Sequence, residues 1–200
     1  MVTMEWYEEE VRAMEQRLRE SPPPSGQVVF YGSSSMRLWE SLEDDFHDVG
    51  ALNLAFGGST LEACVWFFER LVAPCHPRSI VCYAGDNDLG DGRTPEQVVA
   101  SFRQLLMKVD TYFPTITFTM LAIKPSPSRW HLDDRIRATN EAIRRELLDR
   151  NGGCYIDIYS AMMGSNGRPD ESLFQEDRLH VSPKGYLVWK KLLTDLFTQK

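Results

Sequence analysis

The sequence predicts a three-layer α/β/α sandwich built on a five-stranded parallel sheet. Two observations carry this expectation. Five short runs rich in β-branched and aromatic residues recur at positions 28–31, 51–55, 80–84, 116–123 and 155–158. Between them lie longer stretches whose apolar residues recur at helical spacing. Five strands separated by crossover helices imply a parallel sheet with helices on both faces.

Each element has its own signal. The first twenty residues carry six Glu and three Arg around Trp6, Val11, Met14 and Leu18, an amphipathic helix packed on the rest rather than a secretory signal. Ser21-Pro22-Pro23-Pro24-Ser25-Gly26 is a linker that ends it. The strand at 28–31 leads to a short helix near 35–42. After the strand at 51–55, Leu61, Cys64, Val65, Phe68 and Leu71 mark a helix. The strand at 80–84 is followed by a helix entered through Thr94-Pro95-Glu96-Gln97, which combines an N-cap, proline at the first helical position and a capping-box glutamine. Beyond the strand at 116–123, Ile136, Ile143 and Leu147 give a helix that stops at Asn151-Gly152-Gly153. The strand at 155–158 precedes the last helix, which opens at Ser182-Pro183 and carries Trp189, Leu192, Leu193, Leu196 and Phe197 on one face. One domain over residues 1–200 is expected, with the flavodoxin-like strand order 2-1-3-4-5.

Composition excludes several classes. The 200 residues carry a net charge of −7, which disfavours nucleic acid and anionic lipid as partners. The longest apolar runs, such as 64–68, fall far short of the ~20 residues of a membrane span. Cys64, Cys75, Cys82 and Cys154 form no close pair and have no histidine at ligand spacing. They are expected to be reduced thiols of a cytoplasmic protein, and no metal is expected. No Gly-x-Gly-x-x-Gly or Gly-Lys-Ser/Thr follows the first strand, so a nucleotide cofactor is not expected either. A homodimer is left open.

Ligands of an open parallel sheet bind beyond the carboxyl ends of its strands. Three residues after Tyr31 comes Ser34, within Gly32-Ser33-Ser34-Ser35. Three residues after Ala55 comes Gly58, and three after Ala84 comes Asn87, within Gly85-Asp86-Asn87-Asp88. Asp177-Arg178-Leu179-His180, the chain's one Asp-x-x-His, stands before the last helix. Each piece has a plainer reading. Gly-Ser-Ser makes tight turns, Ser59 with Glu62 makes a capping box, Asp-Asn-Asp makes polar loops, and His180 can support the Ser182 cap.

Together they form a chemically complete set for acyl transfer. A serine hydroxyl becomes a nucleophile when an imidazole takes its proton, and a carboxylate must hold the imidazole's far nitrogen. The backbone N–H groups of Ser34 and Gly58 and the Asn87 amide supply donors for an oxyanion. Glycine at 58 lets the backbone approach a substrate. The serine run leaves Ser33, Ser34 and Ser35 open as the nucleophile.

These blocks, in this order, resemble those of the SGNH (GDSL-type) hydrolase family, from about residue 28 to about 193. The resemblance implies an ester hydrolase of flavodoxin-like core with no cofactor. It makes Ser34 the nucleophile, Gly58 and Asn87 the rest of the oxyanion hole, His180 the base and Asp177 its orienting carboxylate. Phe56-Gly57-Gly58 is also loosely similar to acetylhydrolases of the platelet-activating-factor type. One departure is Ser33, which stands where the family usually has aspartate.

Other histidines compete less well: His47 follows an acidic stretch, and His76 lies at the amino end of a strand. His131 follows the fourth strand at the correct end. With Trp130 and Trp39 it is a candidate for the substrate pocket. Arg129 and Lys124 are candidates for an anionic group, against the plainer reading of solvated loop charges. The expected activity is a serine esterase for small acyl esters, preferring acetyl-like chains. A thioesterase or lysophospholipase would use the same residues, and a binding module on the same fold is the alternative of another class.

Overall fold

The computed structural model describes residues 3–198. Strands β1 (Val28–Gly32), β2 (Ala51–Asn53), β3 (Ser79–Tyr83), β4 (Thr117–Leu121) and β5 (Gly153–Ile156) form one parallel sheet in the order β2-β1-β3-β4-β5. This is the expected order. Val28 lies opposite both Ala51 and Ser79, and Ser79 lies opposite Thr117, so the strands start level. Every residue of β1 and β3 is buried, as central strands covered on both faces require.

Helices α1 (Glu8–Glu20), α2 (Ser34–Arg37), α3 (Leu42–Asp45), α4 (Leu61–Leu71), α5 (Asp86–Gly90), α6 (Pro95–Tyr112), α7 (Asp133–Leu148), α8 (Ile158–Ala161) and α9 (Pro183–Thr198) surround the sheet. The β1-to-β2 crossover runs one way along the sheet and the next three run the other way. Right-handed crossovers therefore place α2 and α3 on one face and α4, α6 and α7 on the other. Contacts of α4 with α6 and of α6 with α7 join the second layer. Aromatic contacts join α9 to the first layer: Trp39 with Trp189, and Phe46 with Phe197.

Several boundaries differ from expectation for local reasons. The helix expected at 35–42 divides into α2 and α3 around Trp39, which turns fully into the core. Strand β5 begins and ends two residues earlier than expected, because Asp157 accepts the Ser160 N–H at 2.9 Å and starts α8. Helix α4 is capped by Thr60, which accepts the Ala63 N–H at 3.2 Å, whereas the hydroxyl of the expected cap Ser59 faces Cys64 Sγ at 3.8 Å. The Thr94–Gln97 capping box and the Ser182 cap of α9 are present. In the amino-terminal segment the inward residues are Tyr7 and Val11, while Trp6, expected on the apolar stripe, sits in a 3₁₀ turn and is exposed. Residues 1 and 2 of that segment lie outside the described residues. No described helix is long and apolar enough to cross a membrane.

Candidate active site

The carboxyl ends of β1, β2 and β3 and the loop before α9 meet at one edge. Gly32 ends β1 at φ +133°, where a Cβ would lie 1.9 Å from the Tyr83 carbonyl oxygen. Only glycine lets β1 cross β3 so closely. The Ser33 N–H donates to that same carbonyl at 2.8 Å, and α2 starts at the next residue. Ser33 and Ser35 are thereby buried, and Ser34 is left half-buried at the helix start.

Ser34 Oγ lies 3.1 Å from His180 Nε2, and His180 Nδ1 lies 2.5 Å from Asp177 Oδ2. The other Asp177 oxygen accepts the N–H groups of Leu179 and His180, each at 2.9 Å. This turn passes through Arg178 at φ +59°. Burial pulls the Asp177 carboxyl up, but the two N–H groups and the imidazole outweigh it and hold it at about 2. The loop is fixed from outside: Gln175 N–H donates to the His180 carbonyl at 2.8 Å and Ser128 N–H to the Arg178 carbonyl at 3.0 Å. Such a chain can pass the hydroxyl proton to the imidazole while the carboxylate holds the ring.

Gly58 is exposed in the turn between β2 and α4, at φ +67°. A Cβ there would meet only Trp6 Nε1, at 3.9 Å, so backbone conformation, not crowding by the protein, explains this glycine. Asn87, in the first turn of α5, donates from Nδ2 to the Ser59 carbonyl at 3.1 Å and accepts from Arg129 Nη2 at 3.2 Å. The sequence thus brings all five residues to one edge, and among the three serines it is Ser34 that meets the imidazole.

Lys124 and Arg129 correct the reading of solvated loop charges. Lys124 is 1% exposed, and its ammonium pairs with Asp86 and donates to the Tyr83 hydroxyl at 3.1 Å. Arg129 Nη1 stands 2.6 Å from the other Asp86 oxygen. Burial pulls Lys124 below its ordinary range and pulls Asp86 up, yet the two cations facing Asp86 hold it below the usual carboxylate value. Two cations and one anion thus back the Asn87 amide. Nothing in the sequence marks which carboxylate these loop cations face.

The aromatic candidates separate. Trp39 is 1% exposed, stacked on Tyr186 at 5.0 Å and bonded through Nε1 to Asp45 at 2.8 Å, and it backs a cavity of about 580 Å³ with Leu38, Gln175, Val181 and Tyr186. Trp130 is half-buried under Arg168, whose guanidinium carbon lies 5.4 Å from the ring centre. It lines a cavity of about 610 Å³ with Pro127, Asn166, Asp170 and Arg178, beside the Asp177–His180 loop. His131 is exposed in the 3₁₀ turn Pro127–Leu132. His47 and His76 are exposed away from this edge.

Comparison with known proteins gives the family and the fold. The model of the GDSL-like Lipase/Acylhydrolase family matches residues 25–188. The chain is similar to a Bacteroides fragilis protein described as an acylhydrolase, with TM-score 0.82 and 21% identity over 94% of this chain and 95% of that one. A Streptococcus pneumonia protein described as a platelet activating factor gives TM-score 0.83 and 16% identity over 94% and 91%. A GDSL-like lipase from Bacteroides thetaiotaomicron gives TM-score 0.76 and 19% identity over 98% of each chain. These likenesses are of fold. No curated protein sequence matches the chain.

Proposed function

The chain belongs to the GDSL-like lipase/acylhydrolase family and is an ester hydrolase, and from that premise we propose that it is a serine esterase of small acyl esters working through an acyl-enzyme. The observation that carries this reading is the unbroken chain from Ser34 through His180 to Asp177, set beside Gly58 and Asn87. Ser34 Oγ attacks the acyl carbon as its proton passes to His180 Nε2. The carbonyl oxygen becomes an oxyanion, facing the N–H groups of Ser34 and Gly58 and the Asn87 amide. As the intermediate collapses, the C–O bond to the alcohol breaks and His180 returns the proton to the leaving oxygen. Water then repeats the sequence on the acyl-serine, releasing the acid and restoring the hydroxyl.

Asp177, held at about 2, stays ionised through the working range and supports imidazolium at each transfer. The buried thiols Cys64, Cys75 and Cys82 support the reading of a cytoplasmic, reducing location. The test is p-nitrophenyl acetate hydrolysis and fluorophosphonate labelling of Ser33→Ala, Ser34→Ala and Ser35→Ala. Ser34→Ala alone loses both. Labelling that persists in Ser34→Ala and disappears in a neighbour moves the nucleophile. Wild-type hydrolysis in all three variants removes the serine mechanism.

A further inference from the structure

Helix α1 precedes the block that the family model matches, which starts at residue 25, yet it holds the turn that carries Gly58. Glu10 Oε2 accepts the Gly57 N–H at 2.8 Å. The other oxygen, Oε1, lies 3.4 Å from Nε of Arg37, the last residue of the helix that Ser34 opens. A Cβ on Gly57 would come within 3.3 Å of both Glu10 Oε2 and Arg37 Nε, so this ion pair rests directly on bare backbone. Tyr7, buried just before α1, donates its hydroxyl to the Gly58 carbonyl at 3.2 Å. Its ring meets Phe56 edge-on at 5.4 Å and Phe67 at 6.1 Å.

The Gly58 N–H therefore lies between two pinned peptide groups, the N–H of 57 and the carbonyl of 58. Adjacent glycines have unusual backbone freedom, and a donor on such a turn keeps its aim only if something outside the turn holds it. Helix α1 is itself anchored well enough to serve. Arg70 of α4 pairs with Glu8 at 2.7 Å and Glu15 at 2.8 Å, Arg17 donates to the Asn53 carbonyl at 2.9 Å, and Val11 is buried.

We propose that Glu10 is a positioning residue of the esterase site, with Tyr7 as a second fixing point; the proposal rests on the serine-esterase reading above. Its carboxylate joins the helix of Ser34 to the turn of Gly58, keeping nucleophile and oxyanion donor in register. An oxyanion donor counts in the transition state rather than in substrate binding, so loosening the turn lowers kcat and leaves KM.

The test uses the full chain with Glu10→Ala, Glu10→Gln and Tyr7→Phe, measured for kcat and KM on p-nitrophenyl acetate and for inhibition by a boronic acid that forms a tetrahedral serine adduct. Glu10→Ala lowers kcat by about 10- to 100-fold with KM within about twofold, and weakens the boronic acid by a similar factor. Glu10→Gln, whose amide oxygen still accepts the Gly57 N–H but whose amide nitrogen cannot pair with Arg37, loses less than Glu10→Ala, about three- to tenfold, and Tyr7→Phe loses about three- to tenfold. Wild-type kcat in Glu10→Ala, or a loss carried wholly by KM, overturns the proposal. Should Glu10→Ala not fold, Tyr7→Phe decides, since it removes one hydroxyl and keeps the ring contacts; wild-type kcat there overturns it. Ser34→Ala separates the two readings. If Ser34→Ala is inactive while Glu10→Ala keeps wild-type kcat, the positioning role alone fails. If Ser34→Ala remains active, the serine reading fails first.

Discussion

Asn87 has an orientation that its neighbours leave no choice about. Arg129 can only donate and the Ser59 carbonyl can only accept, so the amide oxygen faces Arg129 and one amide hydrogen faces Ser59. The second amide hydrogen remains for an oxyanion. Asn87→Ala is expected to keep the fold and lower kcat by about 10²–10³, the usual effect of removing one such donor. Arg129→Gln, which leaves Asn87 in place but frees its oxygen, should cost about tenfold in kcat with little change in KM. Steady-state kinetics on p-nitrophenyl acetate check both, and an unchanged kcat in Asn87→Ala refutes the oxyanion role. Single residues of this kind were candidates where strand ends marked them, as for Gly58 and Asn87, but among the three serines only the family resemblance singled out Ser34, and the structure sets Ser34 against His180. The ion pair of Lys124 could not be read, because its partner Asp86 is 38 residues away and only the fold brings them together. The near-complete burial of Trp39 was not legible, because α2 ends at Arg37 and only the fold turns the chain inward there.

Asp88 acts between elements, since its carboxylate in α5 accepts the Leu61 N–H at 3.0 and 3.2 Å and so ties α5 to the start of α4. It is 0% exposed, and burial raises its carboxyl to about 6 against the pull of the Leu61 N–H and Arg93. The fold therefore binds this proton more tightly than the unfolded chain, where an aspartate titrates at ~3.9. Its contribution to stability is fully present below about pH 4 and is lost as pH rises through about 6, a change on the order of 2–3 kcal/mol. Asp88→Asn removes this titration and keeps an oxygen for the Leu61 N–H. Urea melts at pH 4 and pH 7 should show the variant gaining on wild type by that amount as pH rises, whatever the offset at pH 4. A pH-independent difference refutes the assignment. Elements were legible where a period or a cap stood alone, as in the Thr94–Gln97 box and the apolar stripe of α4. They were not where two caps competed: Ser59 and Thr60 are adjacent, and it is Thr60 whose hydroxyl accepts the Ala63 N–H, while Ser59 Oγ faces Cys64 Sγ. Nor did apolar content show that Asp157 would stop β5 before Ile158.

At the scale of the whole molecule, strand order reverses between β1 and β3, and the loops that follow the sheet's carboxyl ends open outward there. Gly58 and Asp177 are exposed and Ser34 is half-buried, so the reacting edge lies near the surface. A hollow of about 580 Å³ lined by Leu38, Trp39, Gln175, Val181 and Tyr186 adjoins the loop of His180, and two more flank the edge. The one beside Trp130, of about 610 Å³, is walled by Asn166, Arg168, Asp170, Glu171 and Arg178. The other, of about 690 Å³ next to Tyr7 and Thr60, sets Met4 and Ala100 beside Glu62, Asp91 and Arg93. Each methylene of an acyl chain gains ~0.8 kcal/mol only where apolar surface covers it, and the charged side chains that interrupt these hollows would lose water without recompense against a longer chain. The gain per methylene should therefore end after the first few carbons. With p-nitrophenyl esters of graded length, kcat/KM is expected to be highest for acetyl and butyryl and to fall by C8 and C12. A kcat/KM that climbs steadily from C4 to C12 would require a covered apolar groove at Ser34, and the reading would then pass to a lysophospholipase or long-chain thioesterase.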